Sequence, residues 1–274
     1  MRFRTFNESG DRDCLFVMGW GNTAAHETVR WFVDGLTDDG WAVHTAELPT
    51  NITDFRADWV EPLAEYVRDL ETFTLVGHSA GALVGTAIDG AAEHVYLSPW
   101  WGYPEDTPSW LLDLVGELPT AAQFVPSGID DTAILGAYAT SRQLADVPRF
   151  VSPAFVRETR DAQARLLPAD VELAAAAEGV RRATPDGDGG DGGDARDVVP
   201  NPDLPTPHWQ VEDDAVVFAS LTDEVVSTRA IGARVNADNV VLYEGGHELF
   251  SSTSRDRHLD TVLAAMESGV AALD

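Results

Sequence analysis

The sequence predicts an α/β fold, in which helices cover both faces of a mainly parallel, twisted sheet and a helical cap is inserted into the chain. Two observations lead to this prediction. Over the first hundred residues, short apolar segments alternate with segments of helical spacing, as in consecutive βαβ units. The alternation stops near residue 100 and resumes near residue 214, so a segment of different character separates two parts of one sheet. The length of 274 residues suits a single unit, because folds of this class often reach about 250 residues.

The first part of the chain supplies four predicted strands and three predicted helices. In the first helix, Val29, Phe32, Val33 and Leu36 recur at the spacing that places them on one face. The strands are short apolar runs between turn signals. We predict strands at residues 15–18, 41–46, 73–76 and 95–97, and helices at residues 23–36, 57–70 and 80–88.

The second part begins with a segment that contains helical patterns broken by prolines and no convincing strand. These patterns predict helices at residues 109–116, 131–144 and 153–183, the last interrupted by Pro168. We therefore expect residues 100–213 to form a helical cap, inserted into a core of residues 1–99 and 214–274. The rest of the core has predicted strands at residues 215–220 and 239–243 and a closing helix at residues 255–273.

One stretch of the predicted cap, near residues 184–200, is rich in Asp and Gly. It contains too few apolar residues to offset its chain entropy, which predicts a disordered linker. Its spacing also resembles a calcium loop. A frame that starts at Asp186 has Gly190 in the fifth position and Asp197 instead of Glu in the twelfth, which favours the linker.

The chain is strongly acidic, with a formal net charge of −28 and no lysine. Such a surface repels phosphates and anionic lipids, so we expect neither a nucleic acid nor a membrane as a partner. The acidity favours adaptation to molar salt, where screening reduces repulsion within the protein. An ordinary acidic protein of the cytosol is the alternative. Residues 1–13 lack the apolar run of a secretory signal, and no segment has the ~20 apolar residues of a membrane span, so we expect a cytoplasmic location.

The single cysteine, Cys14, lies in a predicted strand. A lone cysteine forms no intramolecular disulfide. Reactive cysteines occupy exposed, electropositive surroundings, and this apolar run is not one. We predict a buried structural thiol.

A serine motif of the form G-x-S-x-G lies at residues 77–81, between a predicted strand and a predicted helix. In this context the serine is held in a strained turn with its hydroxyl group exposed, which predicts Ser79 as a nucleophile. An ordinary glycine-rich turn is the alternative. On such a turn we expect the side chain of the neighbouring His78 to point away from the site.

A serine nucleophile needs a base, and the base needs an acid that orients it. His247 follows two glycines just beyond a predicted strand, a setting that the other histidines lack. Asp223 follows the predicted strand at residues 215–220 and lies between serine and histidine in the chain, the order typical of this architecture. Glu224 is the near rival. No histidines have the spacing of zinc ligands, so we expect no metal and no cofactor.

In these segments, over residues 14–100 and 214–272, the chain resembles the α/β-hydrolase superfamily. The resemblance implies that Ser79 is the nucleophile, Asp223 the acid and His247 the base. The family forms its oxyanion hole partly from a loop after an early strand, often His-Gly-x. The matching residues here are 18–21, in which Met18 replaces the histidine. The resemblance therefore assigns the oxyanion-hole N–H groups to Trp20 and Ala80.

Aromatic residues cluster where the predicted cap begins. They could line an apolar substrate pocket or form the core of the cap, and the sequence favours neither. The candidates for substrate binding are Trp100, Trp101, Tyr103 and Trp110, with Phe124 nearby.

The function that these residues favour is hydrolysis of a carboxylic ester or thioester of a small or medium acyl substrate through an acyl-enzyme. The expected partner is therefore a small-molecule acyl substrate. Hydrolysis of a C–C or amide bond by the same residues is one alternative, and a non-catalytic binding protein is another. Epoxide and haloalkane hydrolases have Asp where this chain has Ser79, which disfavours those activities.

Overall fold

The structure is a computed structural model and describes residues 1–166 and 211–273. Seven strands form one sheet in the order β1-β3-β2-β4-β5-β8-β9. Strand β1 is antiparallel to β3, and every other neighbouring pair is parallel. A separate antiparallel pair consists of β6 and β7. The strands are β1 (Arg2–Phe6), β2 (Arg12–Val17), β3 (Trp41–Glu47), β4 (Phe73–His78), β5 (Ala91–Leu97), β6 (Val125–Pro126), β7 (Phe150–Val151), β8 (Val216–Ser220) and β9 (Val240–Tyr243).

The helices are short, and several are preceded or followed by turns of other helical types. A π-helical turn at Arg56–Val60 precedes α2, and 3₁₀ turns occupy Ala237–Asn239, Leu249–Ser251 and Gly269–Leu273. The helices are α1 (Glu27–Asp38), α2 (Glu61–Val67), α3 (Ala80–Gly85), α4 (Ser109–Gly116), α5 (Thr132–Leu135), α6 (Ser141–Asp146), α7 (Pro153–Arg165), α8 (Thr228–Gly232) and α9 (Arg255–Ser268).

The sheet has helices on both faces, because its central strands are apolar on both sides. In β2, Leu15 and Val17 join a core that includes residues of α2, α3, α7 and α8. The alternating residues Cys14 and Phe16 join a second core that includes residues of α1 and α9. This three-layer arrangement confirms the predicted α/β class. The Cys14 thiol is fully buried in the second core, and burial raises its pKa.

Two elements of the sheet edges and loops were not expected from the sequence. Strand β1 pairs along its length with β3, and Arg2 forms an ion pair with Glu47 at 3.0 Å. Only Phe3 and Phe6 of its five residues are apolar, and they stand three positions apart rather than in the alternation that indicates a half-buried strand. Helix α8 is only five residues long and was also missed.

The segment after residue 100 differs from its prediction in two respects. The expectation that it has no strand is wrong, because β6 and β7 pair there. The helix expected at residues 131–144 is two helices, α5 and α6. It breaks at Gly136, where φ is +151° and a Cβ atom would lie 2.6 Å from the Ser251 carbonyl oxygen.

The predicted linker near residues 184–200, the rival calcium frame and the second half of the helix at 153–183 lie outside the described residues. The division into a core and a cap stays a prediction. Within the part of the chain that the structure describes, no helix combines the length and apolar character needed to cross a bilayer.

Candidate active site

Ser79 lies on the turn between β4 and α3. Its backbone has φ +53° and ψ −119°, a conformation that costs a non-glycine residue about 1–3 kcal/mol. Both glycines of the motif are required by space. A Cβ atom on Gly77 would lie 2.7 Å from the Cα atom of Ala82, and one on Gly81 would lie 2.1 Å from the carbonyl oxygen of Val17. The close packing of this turn against β2 therefore holds the serine in its strained conformation.

The loop after β2 runs directly beside this serine. A Cβ atom on Gly19 would lie 3.2 Å from the Cβ atom of Ser79. Among the hydrogen bonds of the described residues, none uses the backbone N–H of Trp20 or of Ala80 as a donor. Both N–H groups are thus available for a ligand. The Trp20 indole is fixed by a hydrogen bond that it donates to the Thr50 carbonyl at 2.9 Å.

His247 lies in the loop after β9, and its backbone is held from both sides. Its N–H donates to the Ile134 carbonyl at 2.8 Å, and its carbonyl accepts from the Tyr243 hydroxyl at 2.7 Å. Its Nδ1 lies 2.9 Å from Oδ2 and 3.1 Å from Oδ1 of Asp223. Asp223, in the loop after β8, also accepts hydrogen bonds from the backbone N–H groups of Val225 and Val226. The rival acid, Glu224, forms no hydrogen bond to His247 within the described residues.

Asp223 and His247 shift each other's pKa. Burial alone would lower the pKa of His247, but the charge and hydrogen bond of Asp223, with a contribution from the Glu248 charge, outweigh burial and raise it. Burial alone would raise the pKa of Asp223, but His247 and the two backbone N–H groups outweigh burial and lower it. Asp223 is therefore held as a carboxylate, which stabilises a positive charge on the imidazole ring.

The remaining nitrogen of His247, Nε2, is buried and forms no hydrogen bond within the residues described. Because Nδ1 faces a carboxylate, the neutral ring carries its proton there and leaves a lone pair on Nε2. Ser79 and His247 line the same cavity. The structure thus brings the predicted serine, histidine and aspartate to one site, and Nε2 of His247 is left without a hydrogen-bond partner among the described residues.

The cavity has a volume of about 1080 Å³ and a largely apolar lining. Of the four aromatic candidates, Trp100 and Tyr103 line it, and so does Phe124. The other two do not. Trp101 is fully buried in the core, with its ring 5.3 Å from that of Tyr96, and Trp110 is 65% exposed on α4.

His78 was expected to point away from the site, and this expectation is wrong. The ring is buried, lies 5.1 Å from the His247 ring and 4.9 Å from the Phe250 ring, and lines the cavity. Burial, with the nearby His247, lowers its pKa well below the ordinary value, so the ring is neutral. His78 is two positions after Val76 in β4, and strand alternation places both on the face that packs against Phe250.

Sequence reasoning also missed Glu248, which directly follows His247. Its side chain is 1% exposed and lies among polar groups from distant segments. A glutamate beside a histidine in an acidic chain gave no signal of burial. Within residues 1–166 and 211–273, no three or more His, Cys, Asp or Glu side chains are arranged to hold a metal ion.

Comparisons with known proteins agree with this architecture. The model of the alpha/beta hydrolase family matches residues 15–264. The crystal structure of Paleococcus ferrophilus monoacylglycerol lipase superimposes with a TM-score of 0.61 at 15% identity, covering 99% of this chain and 98% of that chain. A soluble variant of monoglyceride lipase from Saccharomyces cerevisiae gives 0.62 at 14% identity, covering 99% and 90%. An esterase from Exiguobacterium antarcticum gives 0.55 at 11% identity, covering 97% and 95%.

At these identities the structural likenesses show a shared fold. A search of curated proteins finds none with significant similarity to this sequence. The family model, in contrast, spans the sheet from β2 to β9, the Ser79 turn and the loops of Asp223 and His247. The chain belongs to the alpha/beta hydrolase family.

Proposed function

We propose that this protein hydrolyses carboxylic esters of small or medium acyl groups through an acyl-enzyme on Ser79. The observation that carries the proposal is the buried pair of Asp223 and His247. His247 lines one cavity with the strained Ser79, and its Nε2 has no hydrogen-bond partner within the described residues. Burying an acid, an imidazole and a strained serine together is costly, and acyl transfer is the chemistry that uses all three.

In the first half-reaction, the Ser79 hydroxyl attacks the ester carbon while His247 Nε2 takes its proton. Asp223 stabilises the imidazolium ion that forms. The carbonyl oxygen becomes an oxyanion, which the N–H groups of Trp20 and Ala80 bind. Each such donor is worth about 3 kcal/mol in comparable sites. The imidazolium then gives its proton to the leaving alcohol, the C–O bond breaks, and the acyl group stays on Ser79.

In the second half-reaction, a water molecule attacks the acyl-enzyme. His247 takes a proton from the water and returns it to the Ser79 oxygen as the acyl bond breaks. The carboxylic acid leaves, and the serine and histidine are restored. Each proton that His247 accepts is therefore passed on within the same half-reaction.

The cavity supports an apolar acyl group. Its volume of about 1080 Å³ slightly exceeds the range of typical ligand pockets, which is about 300–1,000 Å³. Trp100 and Phe155 present stacked rings on its wall, with centroids 6.0 Å apart. Lipases and an esterase among the structures of the same fold favour an ester bond over the other bonds that this chemistry cleaves.

The test is a panel of p-nitrophenyl esters from acetate to dodecanoate and a matched set of acyl thioesters, assayed in molar and in low KCl. We expect turnover of the esters, lost in Ser79→Ala. Ser127→Ala is the matched control, because Ser127 lines the same cavity without contacting His247. A fluorophosphonate should add once to the wild type and to Ser127→Ala, and not to Ser79→Ala. Full activity of Ser79→Ala, or labelling of another residue, refutes the proposal.

A further inference from the structure

Glu248, the residue after His247, has a buried carboxylate that takes no part in the reaction proposed above. Glu248 accepts three hydrogen bonds. Asn22 Nδ2 donates to Oε1 at 2.9 Å, and Gln143 Nε2 and Ser251 Oγ donate to Oε2, each at 2.5 Å. The three donors come from separate segments: the loop after β2, helix α6 and the 3₁₀ turn that follows His247. One carboxylate therefore ties together three parts of the molecule.

The hydrogen bonds continue outward from Glu248 into a larger cluster. Gln143 Nε2 also lies 3.3 Å from Asn22 Oδ1, and Thr28 Oγ1 donates to Gln143 Oε1 at 3.0 Å. His26 bridges Asn22 Oδ1, at 3.3 Å, and Asp146 Oδ2, at 3.0 Å. Asn22 is two positions after Trp20, whose N–H is proposed to bind the oxyanion. We call residues 18–22, after β2, the oxyanion loop and residues 244–248, after β9, the histidine loop. The cluster thus fixes the position of the oxyanion loop relative to the histidine loop.

The hydrogen bonds match an ionised Glu248. All three partners donate, and a carboxylate is a pure acceptor with room for each of them. Within the described residues no arginine forms an ion pair with Glu248, and His247 is the one basic group whose charge lowers its pKa. Burial raises the pKa of Glu248, while Ser251, Asn22, His247 and Gln143 oppose this shift.

We propose that Glu248 is a positioning residue, which locks the oxyanion loop and α6 against the histidine loop and supplies a second buried negative charge beside His247. This inference rests on the proposed function, in which His247 becomes an imidazolium ion. A charge next to the ring favours that ion, and the hydrogen bonds keep the oxyanion donors and the base at a constant separation.

The other groups that face His247 set the size of the effect. Asp223 approaches from the loop after β8 with a full charge, and His78 approaches from the end of β4 as a neutral ring. The neutral hydroxyl group of Tyr243 donates a hydrogen bond to the backbone carbonyl of His247. When the Glu248 charge is removed, Asp223 remains as the anion that faces His247. The pKa of His247 should therefore fall, while Asp223 continues to raise it.

The decisive variant is Glu248→Gln, which keeps the shape of the side chain and removes the charge. Its carboxamide nitrogen would face at least one of the three donors, so the cluster loosens as well. We expect the His247 resonance to titrate at lower pH in an NMR titration of the free protein. In the pH profile of kcat/KM, the rising limb should move to lower pH. We expect kcat to fall by up to about 100-fold, the loss that a misplacement of ~1 Å causes, with a smaller change in KM.

Two further variants separate position from charge and from stability. Glu248→Asp keeps the charge but is one methylene shorter and cannot reach Asn22 and Gln143 together, so kcat should fall while the pH limb stays in place. Thr74→Val is the matched control, because the buried Thr74 hydroxyl donates to the Met266 carbonyl at 3.0 Å and lies outside the cluster. It should lower the melting temperature and leave kcat and the pH limb as in the wild type.

A Glu248→Gln variant that loses only thermal stability, with an unchanged His247 titration and pH limb, overturns the inference. If that variant fails to fold, unchanged kcat in Glu248→Asp overturns it instead. The NMR titration needs no substrate, so the two proposals fail separately. A wild type that neither cleaves esters nor reacts with a fluorophosphonate refutes the proposed function, while the His247 titration still decides the role of Glu248.

Discussion

Replacing Asp223 by Asn tests the electrostatic core of the proposed mechanism. The carboxylate lies 2.9 Å from His247 Nδ1. Two unit charges about 3 Å apart, in surroundings with an effective dielectric constant of about 20, attract each other by ~5.5 kcal/mol. The imidazole is charged only after it takes the serine proton, so this attraction is absent from the ground state and present in the transition state. At about 1.36 kcal/mol for each factor of ten, kcat should fall by about 10,000-fold.

Asparagine also disturbs the hydrogen bonds. Asp223 Oδ1 accepts from the N–H groups of Val225 and Val226. If the carboxamide oxygen keeps those bonds, its nitrogen faces Nδ1 of His247 and favours the tautomer that carries its proton on Nε2. That tautomer cannot accept the proton of Ser79, which acts in the same direction as the loss of charge.

The assay is the steady-state rate with the best p-nitrophenyl ester, together with the rate of fluorophosphonate labelling. Glu224→Gln is the matched control. Glu224 is the adjacent acid and lines the cavity without a hydrogen bond to His247 in the described structure, so its rate should stay within about twofold of the wild type. An Asp223→Asn variant that keeps more than a tenth of the wild-type rate, or a Glu224→Gln variant that loses activity, contradicts this role of Asp223.

Three further predictions follow from burial and charge. Because Asp223 raises the pKa of His247 and the base must be neutral, kcat/KM should rise as pH increases through that raised pKa. A pH profile whose rising limb lies below the ordinary pKa range of histidine would contradict the effect of Asp223 on His247. Trp101→Ala should lower the free energy of unfolding by about 3–5 kcal/mol because this ring is fully buried, whereas Trp110→Ala should change it by about 0.5 kcal/mol or less; equal losses in denaturant titrations would show that the two environments are misassigned. A net charge of −28 should make the melting temperature rise with KCl as repulsion is screened, and equal melting temperatures in low and molar KCl would reject adaptation to salt.

Much of the site was predictable because its signals are local. The turn of Ser79 needs glycines at positions 77 and 81, and the distances from Gly81 to Val17 show why no larger residue fits there. The positions of Asp223 and His247 follow from strand ends, since parallel strands present their carboxyl ends at one edge of a sheet. Backbone geometry and strand order therefore carried these predictions.

The side chains that support the site were not predictable in the same way. Two tryptophans of the same segment have opposite environments, since Trp101 is buried in the core and Trp110 is exposed on the surface. The path of the chain after β5 determines which of the two rings points inward. His78 is placed by the packing of Phe250 against the end of β4, a contact between residues far apart in the sequence. Neither environment has a local pattern.

Sterics within a few residues and apolar periodicity specify the α/β class, the turn of Ser79 and the strand ends that precede Asp223 and His247, so these features are predictable from the sequence. The burial of Glu248 and its hydrogen bonds from Asn22, Gln143 and Ser251 depend instead on tertiary packing. Asn22 and Gln143 lie 226 and 105 positions away from Glu248 in the chain. A hydrogen bond across such a separation depends on the packing of the whole fold, and a glutamate has the same local sequence signal whether it ends in water or in the core.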